Sequence, residues 1–140
     1  LTHEYAISAR DMQAATEKEG VEIEEGDVVL IRTGWSKYWN NRQKYLSHEE
    51  GVPGVVEDGA RFLARKKISF TGADTTAYEK VPSATLPCHV ILVVENGIQI
   101  MEMLNLEELS RDRIYTFLFI ALPLKIRGGV GSPVRPIAIA

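Results

Sequence analysis

The sequence contains a single cysteine, Cys88, so no disulfide can form within the chain. Absence of disulfides is typical of reducing compartments and favours the cytoplasm. The longest apolar runs are shorter than the roughly 20 residues that a membrane-spanning helix needs, and no charged-then-apolar leader opens the chain. We therefore expect a cytoplasmic protein that has no membrane as its partner.

The formal net charge is -3, and the sequence has no large cluster of positive charge. The nearest approach to a basic cluster is the run of Arg65, Lys66 and Lys67. A phosphate-binding surface needs several grouped cations, whereas a few cations at the end of a helix complement its dipole. We therefore expect no nucleic acid among the partners.

Histidine is scarce, and the glycines form no nucleotide-binding motif. The three histidines are His3, His48 and His89, and their spacing matches no metal motif. No Gly-x-Gly-x-x-Gly sequence follows a predicted strand, and no phosphate loop ends in Lys-Ser or Lys-Thr. These absences exclude a recognisable nucleotide site and a complete metal site built from this chain alone.

The sequence does contain an alternation of helical and strand-like segments, within an ordinary globular composition of 45% apolar and 25% charged residues. Ser8 with Asp11 forms a capping-box-like pair at the start of a helix, and Gly20 can end it. The pattern predicts helices at residues 8–19 and 56–67, and strands at 28–31, 68–73, 98–101, 114–122 and 134–139. The continuous apolar run at 28–31 is expected to be buried on both faces. Residues 35–45 have aromatic side chains at helical spacing, 47–54 and 75–87 are loop-like, and 89–95 are ambiguous between helix and strand. The alternation predicts an α/β layer structure and one domain spanning residues 1–140.

Two polar features remain open between function and structure. Asp74 and Thr75 follow a predicted strand, where α/β proteins place working groups, but both residue types also cap turns. Lys125 and Arg127 alternate with Leu124 and Ile126, which predicts that both cations project from one face of an extended strand before a glycine-rich turn. They form either a substrate-positioning edge or an ordinary surface strand.

Several segments together resemble the cyclase-like family of metal-dependent hydrolases, which includes bacterial kynurenine formamidases and isatin hydrolases. Two of these segments are Arg32-Thr-Gly-Trp35 and Gly72-Ala-Asp-Thr75. The others are residues 7–11, 26–31, His89, 100–106, 122–128 and 131–134, and all run in the family's order. The resemblance implies a swivelling β/β/α fold, a homodimer or higher homo-oligomer, and hydrolysis of an amide or cyclic amide.

The chain departs from this family at its best-known motif. Family members carry His-x-Gly-Thr-His-x-Asp, which supplies the first metal ligands, and this chain does not contain it. The resemblance therefore implies a domain that is incomplete at its N-terminus, with the main ligands upstream of Leu1. They could lie on an unseen segment or on an upstream fragment of the same protein that acts as a partner.

The resemblance also suggests site residues. His89 and Glu102 are the candidates for catalysis and for metal binding, because formamidase-like members complete a metal site with a His and a Glu at about this spacing. The ion would be Zn²⁺ or Mn²⁺, which imidazole and carboxylate suit. In isatin-hydrolase-like members the same pair would instead orient substrate or water. The candidates for binding a small-molecule amide substrate are Trp35, Trp39, Tyr78, Thr75 and Arg127.

These residues lead to two hypotheses of different kinds. The first is a metal-dependent amidohydrolase that cleaves a compound like N-formylkynurenine or isatin with a metal-activated water. The second is a truncated family member that acts as a noncatalytic binding or assembly module, which would account for the missing motif. Cys88 is not expected to be a nucleophile, because neighbouring side chains diverge and Cys88 would not meet His89.

Overall fold

The computed structural model describes residues 1–46 and 50–140 and confirms the α/β class. The helices are α1 (Ala9–Glu19), α2 (Arg42–Tyr45), α3 (Glu57–Arg65), α4 (Pro87–His89) and α5 (Glu107–Asp112), with a 3₁₀ turn at Trp35–Tyr38 and a π-helix at Val90–Glu95. The strands are β1 (Ala6–Ile7), β2 (Val28–Ile31), β3 (Gly54–Val55), β4 (Phe70–Ala73), β5 (Gln99–Met101), β6 (Leu118–Ile120) and β7 (Ile137–Ile139). Part of the predicted loop at 47–54, including His48, lies outside the described residues.

Helix α1 begins and ends as its sequence predicts. The Ser8 hydroxyl accepts from the backbone N–H of Asp11, and the Asp11 carboxylate accepts from the backbone N–H of Ser8. Gly20 then takes a left-handed backbone with φ 68°. This complete capping box satisfies backbone donors that the first turn cannot pair within the helix.

The central sheet has the order β2-β4-β5, and its strands are parallel. Gly72 in β4 permits close packing, because a Cβ there would lie 2.7 Å from Cδ1 of Leu104. The prediction that residues 28–31 are buried on both faces is wrong: all four are half-buried. Among the described strands β2 lies at the edge of this sheet, so one side of it has no neighbouring strand.

A second parallel pair, β1 and β3, brings residues 77–81 beside the core. The backbone N–H of Val55 donates to Tyr78, and that of Lys80 donates to Val55. Helices α1 and α3 pack over this pair, and the main core contains Met12, Leu63 and Ile91. The irregular segment 75–87 is therefore held against β3 along part of its length.

The last two strands form an antiparallel hairpin in which Leu118 lies opposite Ile139. The predicted strand at 114–122 is shorter in the structure, because α5 ends at Asp112 and Arg113 takes a left-handed backbone. The strand at 134–139 is likewise reduced to three residues, since Pro136 has no N–H to extend the ladder. Within residues 1–46 and 50–140, no helix is both long and apolar enough to cross a bilayer.

Candidate functional site

His89 lies where a short α-helix passes into a π-helix. Leu86 has a left-handed backbone, Pro87 opens α4, and the π-helix begins at Val90. Pro is favoured in a first helical turn because the N–H that it lacks has no partner there. Single π-helical turns occur often at functional sites. The segment that was ambiguous from its sequence is thus helical, and His89 lies near its start.

Glu102 directly follows β5 and faces His89. The distance between Nε2 of His89 and Oε1 of Glu102 is 3.6 Å, and each side chain is about one-third exposed. Parallel pairing of β5 with β4 places this carboxylate at the carboxyl end of the central sheet. The structure therefore brings the two predicted residues together, while their catalytic and metal-binding roles stay predictions.

A third residue, Glu79, completes this group. Its Oε2 lies 2.9 Å from Nδ1 of His89 and accepts from the backbone N–H of His89 at 3.1 Å. The residue is only 1% exposed, which is rare for a carboxylate without a partner. Sequence reasoning missed Glu79, because it lies in an irregular stretch where periodicity says nothing about which way a side chain points.

The two carboxylates change the acid–base behaviour of His89. Glu102 contributes most to raising the pKa of His89 to about 8, Glu79 adds to it, and partial burial of the ring opposes both. A nearby negative charge favours the protonated imidazole, which explains the direction. The ring therefore binds its proton more tightly in the folded protein than in the unfolded chain.

This shift predicts how stability depends on pH. A raised folded-state pKa stabilises the fold fully below the ordinary value of 6.5, and this contribution is lost as the pH rises through about 8. We expect the wild-type protein to have a higher free energy of unfolding than His89→Gln. The difference should be largest near pH 6.5 and should shrink as the pH rises to about 8. Urea unfolding of both proteins across this pH range, with a chelator present, measures the difference. A difference that stays constant or grows with pH would contradict the prediction.

Asp74 caps the turn after β2 and does not face this group. Its carboxylate accepts from the backbone N–H and hydroxyl of Thr33 and from the backbone N–H groups of Gly34 and Trp35. The residue is fully buried. The structure thus assigns Asp74 the role of a cap, which was one of its two readings.

Thr75 lies closer to Glu102 than its sequence position suggests. Its backbone carbonyl accepts from the N–H of Met103 at 2.9 Å. The hydroxyls of Thr75 and Thr76 are buried, and neither has a hydrogen-bond partner among the described residues. An unpaired buried hydroxyl is uncommon. This observation supports the prediction that Thr75 binds a polar group of the substrate, without testing it.

The aromatic candidates occupy different environments. Trp35 is buried and donates from Nε1 to the carbonyl of Tyr45. Trp39 is 60% exposed and lies edge-to-face on Tyr45. Tyr78 is fully buried, with its hydroxyl 3.0 Å from that of Thr71. Trp39 is therefore the one of the three whose ring is open to a ligand in this arrangement, and the predicted role of each stays a prediction.

Tyr45 is a second residue that sequence reasoning missed. Its hydroxyl donates to the backbone carbonyl of Asp74, and burial, followed by the charges of Asp74 and Glu102, raises its pKa to about 12. Tyr45 thus connects Trp35 and Trp39 to the carboxyl end of β4. The aromatic spacing of residues 35–45 indicated a packed surface, but it did not show which ring faces the sheet.

Arg127 and Cys88 lie apart from the His89 chemistry. Arg127 is exposed in a turn between β6 and β7, so the predicted strand at this position is wrong. No hydrogen bond or ion pair links it to His89 within the part of the chain that the structure describes. Cys88 is buried and donates to the carbonyl of Val55. Burial, with a smaller effect of Glu79, raises the pKa of its thiol to about 12, so the thiolate form is disfavoured.

The donor atoms of His89 and Glu102 suit one divalent cation as part of its ligand set. Ligand bonds of about 2.1 Å in a tetrahedral arrangement place neighbouring donor atoms about 3.4 Å apart. The observed 3.6 Å is near this value and longer than an ordinary hydrogen bond. In residues 1–46 and 50–140 there is no group of three or more His, Cys, Asp or Glu residues that could hold a metal. The pair therefore fits as two ligands and does not suffice as a site.

Comparison with known proteins gives matches along the whole chain. A family profile described as putative cyclase matches residues 2–80. The isatin hydrolase of Roseibium aggregatum is 30% identical over an alignment of 136 residues, and the match covers 92% of this chain and 51% of that protein. A kynurenine formamidase of Bacillus cereus is 31% identical over 121 residues, 86% of this chain and 53% of that enzyme.

Solved structures agree with these relatives. A crystal structure described as a novel cyclase has a TM-score of 0.89 and 32% identity, and the match covers 100% of this chain and 47% of that one. An isatin hydrolase bound to the product analogue thioisatinate has a TM-score of 0.83 and 29% identity, with coverage of 97% and 53%. These likenesses confirm the predicted cyclase-like swivelling β/β/α fold. The chain spans about half the length of these relatives.

Proposed function

Because the chain belongs to the cyclase family, we propose that it forms part of a metal-dependent hydrolase that cleaves an amide or cyclic amide. Relatives named isatin hydrolase and kynurenine formamidase support this class of reaction. They also suggest the substrate type, an aryl compound like isatin or N-formylkynurenine. A single cysteine that is free and buried is consistent with a cytoplasmic location, which we propose with it.

The observation that carries the proposal is the arrangement of His89 between two carboxylates. Nδ1 lies 2.9 Å from Glu79, and Nε2 lies 3.6 Å from Glu102. Metal-binding histidines commonly donate their other ring N–H to a carboxylate in this way. A histidine that only packs against its neighbours does not require two acidic partners, and burying their charge would destabilise the fold.

In this proposal His89 and Glu102 hold a divalent cation, Zn²⁺ or Mn²⁺, and the remaining ligands come from another part of the protein. When bound, such an ion lowers the pKa of water and polarises a carbonyl group. To coordinate a cation through Nε2, His89 would have to be neutral, so metal binding would compete with protonation of the ring.

The other residues of this chain bind and orient the substrate. Trp39 offers an exposed ring on which an aryl group can stack. The unpartnered hydroxyl of Thr75 can donate to a substrate oxygen. Glu102, one-third exposed, can accept a proton at Oε1 if it is not coordinating. A homo-oligomer is part of the proposal, because the family resemblance implies it.

Replacement of His89 tests the proposal. We expect His89→Ala, in the protein that carries this chain, to lower hydrolysis of isatin or N-formylkynurenine at least about 100-fold and to reduce bound Zn²⁺ or Mn²⁺. Product absorbance and equilibrium dialysis measure the two effects. His3→Ala is the matched control, because the His3 side chain is exposed and, within residues 1–46 and 50–140, forms an ion pair with Glu4 alone.

Two results would count against this function. If His89→Ala keeps wild-type turnover and metal content, His89 is structural. If the wild-type protein neither binds these ions nor hydrolyses either compound, the noncatalytic binding or assembly module becomes the better description.

A further inference from the structure

Glu79 is a charged residue that the proposed reaction does not yet use, although it is 1% exposed. Within the described residues, both hydrogen bonds of its carboxylate are to His89, and both use the same oxygen. Oε2 accepts from the backbone N–H at 3.1 Å and lies 2.9 Å from Nδ1 of the ring. One carboxylate oxygen thus contacts the backbone and the ring of a single residue, which restricts both the position and the rotation of the imidazole.

The backbone that carries Glu79 is itself fixed against β3. Glu79 and Val55 form a parallel bridge, flanked by hydrogen bonds between Val55 and the backbones of Tyr78 and Lys80. Gly54 makes this approach possible, because a Cβ there would lie 2.5 Å from the carbonyl oxygen of Glu79. The backbone that carries the carboxylate is therefore held by its pairing with β3, as a group that orients another side chain must be.

The contact also decides which ring nitrogen of a neutral His89 carries the proton. A carboxylate can only accept, so Nδ1 must be the donor when the ring faces Glu79. The proton is then absent from Nε2, whose lone pair is directed to the side where Glu102 lies. In metal-binding and catalytic histidines, the hydrogen bond at one nitrogen sets the chemistry available at the other.

We propose that Glu79 is a positioning residue that holds His89 as its Nδ1–H tautomer, so that Nε2 is the atom presented to the metal or substrate. What Nε2 meets rests on the proposed function, whereas the tautomer does not. The competing explanation is that Glu79 only caps the backbone N–H of His89 near the start of α4, as a helix needs. A cap alone leaves the ring free to adopt either tautomer.

Nuclear magnetic resonance of the ring nitrogens separates these explanations. We expect neutral His89, at about pH 10 with a chelator present, to show Nδ1–H in the wild-type protein. Its signals are assigned by their loss in His89→Gln. Glu79→Ala should convert most of the population to Nε2–H, and Glu79→Gln should retain Nδ1–H, because the amide oxygen still accepts.

Glu25→Ala is the control. It removes an exposed carboxylate that pairs with Lys67 and not with His89, so it should leave the tautomer unchanged. Binding of Zn²⁺ provides a second measurement. In the protein that carries this chain, Glu79→Ala should weaken Zn²⁺ binding by about 10- to 100-fold, and Glu79→Gln by less.

The outcomes are separable from those of the proposed function. If neutral His89 carries its proton on Nε2 in the wild-type protein, the inference is wrong. This test needs no variant, so it remains decisive even if Glu79→Ala does not fold. Unchanged tautomer and Zn²⁺ affinity in Glu79→Ala also overturn it, even if the protein hydrolyses isatin. If hydrolysis is absent while the tautomer depends on Glu79, the positioning role stands and the proposed function fails.

Discussion

Replacement of Asp74 by alanine is expected to lower the free energy of unfolding by about 4 kcal/mol or more, the largest effect that we predict. The carboxylate accepts four hydrogen bonds from the turn after β2, at 2.6 to 3.2 Å, and it is fully buried. Its removal leaves the backbone N–H groups of Thr33 and Gly34 without this acceptor. Each buried donor that loses its partner costs about 1–3 kcal/mol.

The isosteric variant Asp74→Asn should fall between alanine and wild type. Oδ1 accepts from Thr33, and Oδ2 accepts from Gly34 and Trp35, so both oxygens are used. An amide keeps one acceptor and turns its NH₂ group towards the donors of the other. Urea unfolding measures the changes. Asp112→Ala is the control, because Asp112 is exposed and, in the part of the chain that the structure describes, pairs with Arg111 alone. If Asp74→Asn were as stable as the wild-type protein, the four hydrogen bonds that the carboxylate accepts would be unimportant for stability.

Replacement of Gly54 by alanine is expected to cost about 3 kcal/mol of unfolding free energy. A Cβ at this position would meet backbone atoms, the carbonyl oxygen of Glu79 and the nitrogen of Lys80, each at 2.5 Å. Backbone atoms cannot move aside as easily as the end of a flexible side chain. The added methyl group would therefore push β3 and residues 77–81 apart. The same displacement should move Glu79 away from His89 and weaken the orientation of the imidazole.

A matched glycine distinguishes this clash from a general effect of alanine. Gly131 has open space around its would-be Cβ and an ordinary φ, so Gly131→Ala should change stability by less than about 0.5 kcal/mol. Denaturant midpoints at constant m-value give the comparison. Equal stabilities of the two variants would mean that the approach of β3 to Glu79 is loose, contrary to the packing described above.

Local features of the chain were sufficient for most of the helices and strands. The capping pair of Ser8 and Asp11 predicted where α1 begins, because both partners lie within one helical turn. The apolar run at residues 28–31 predicted β2 but not its burial, since burial depends on whether another strand lies beside it. Residues 89–95 were ambiguous because a short apolar run has no periodicity that separates helix from strand.

The candidate site was predictable only in part. His89 and Glu102 were identified through a family resemblance, whereas Glu79 and Tyr45 were not. Glu79 reaches His89 because residues 77–81 lie against β3, and Tyr45 reaches Asp74 across a separation of 29 residues. Neither contact is encoded in a local pattern, since both depend on which segments the sheet brings together.

The order of residue types along the chain was enough to predict the α/β class, to exclude a disulfide within the chain, and to identify the polar residues that follow β4. These properties are set by composition and by interactions within a few residues, which folding does not rearrange. Packing alone decided that Asp74 caps a buried turn, that Tyr78 has no exposed surface, and that His89 lies between two acids. A carboxylate's role depends on its distance from donors and from water, and the fold sets both distances.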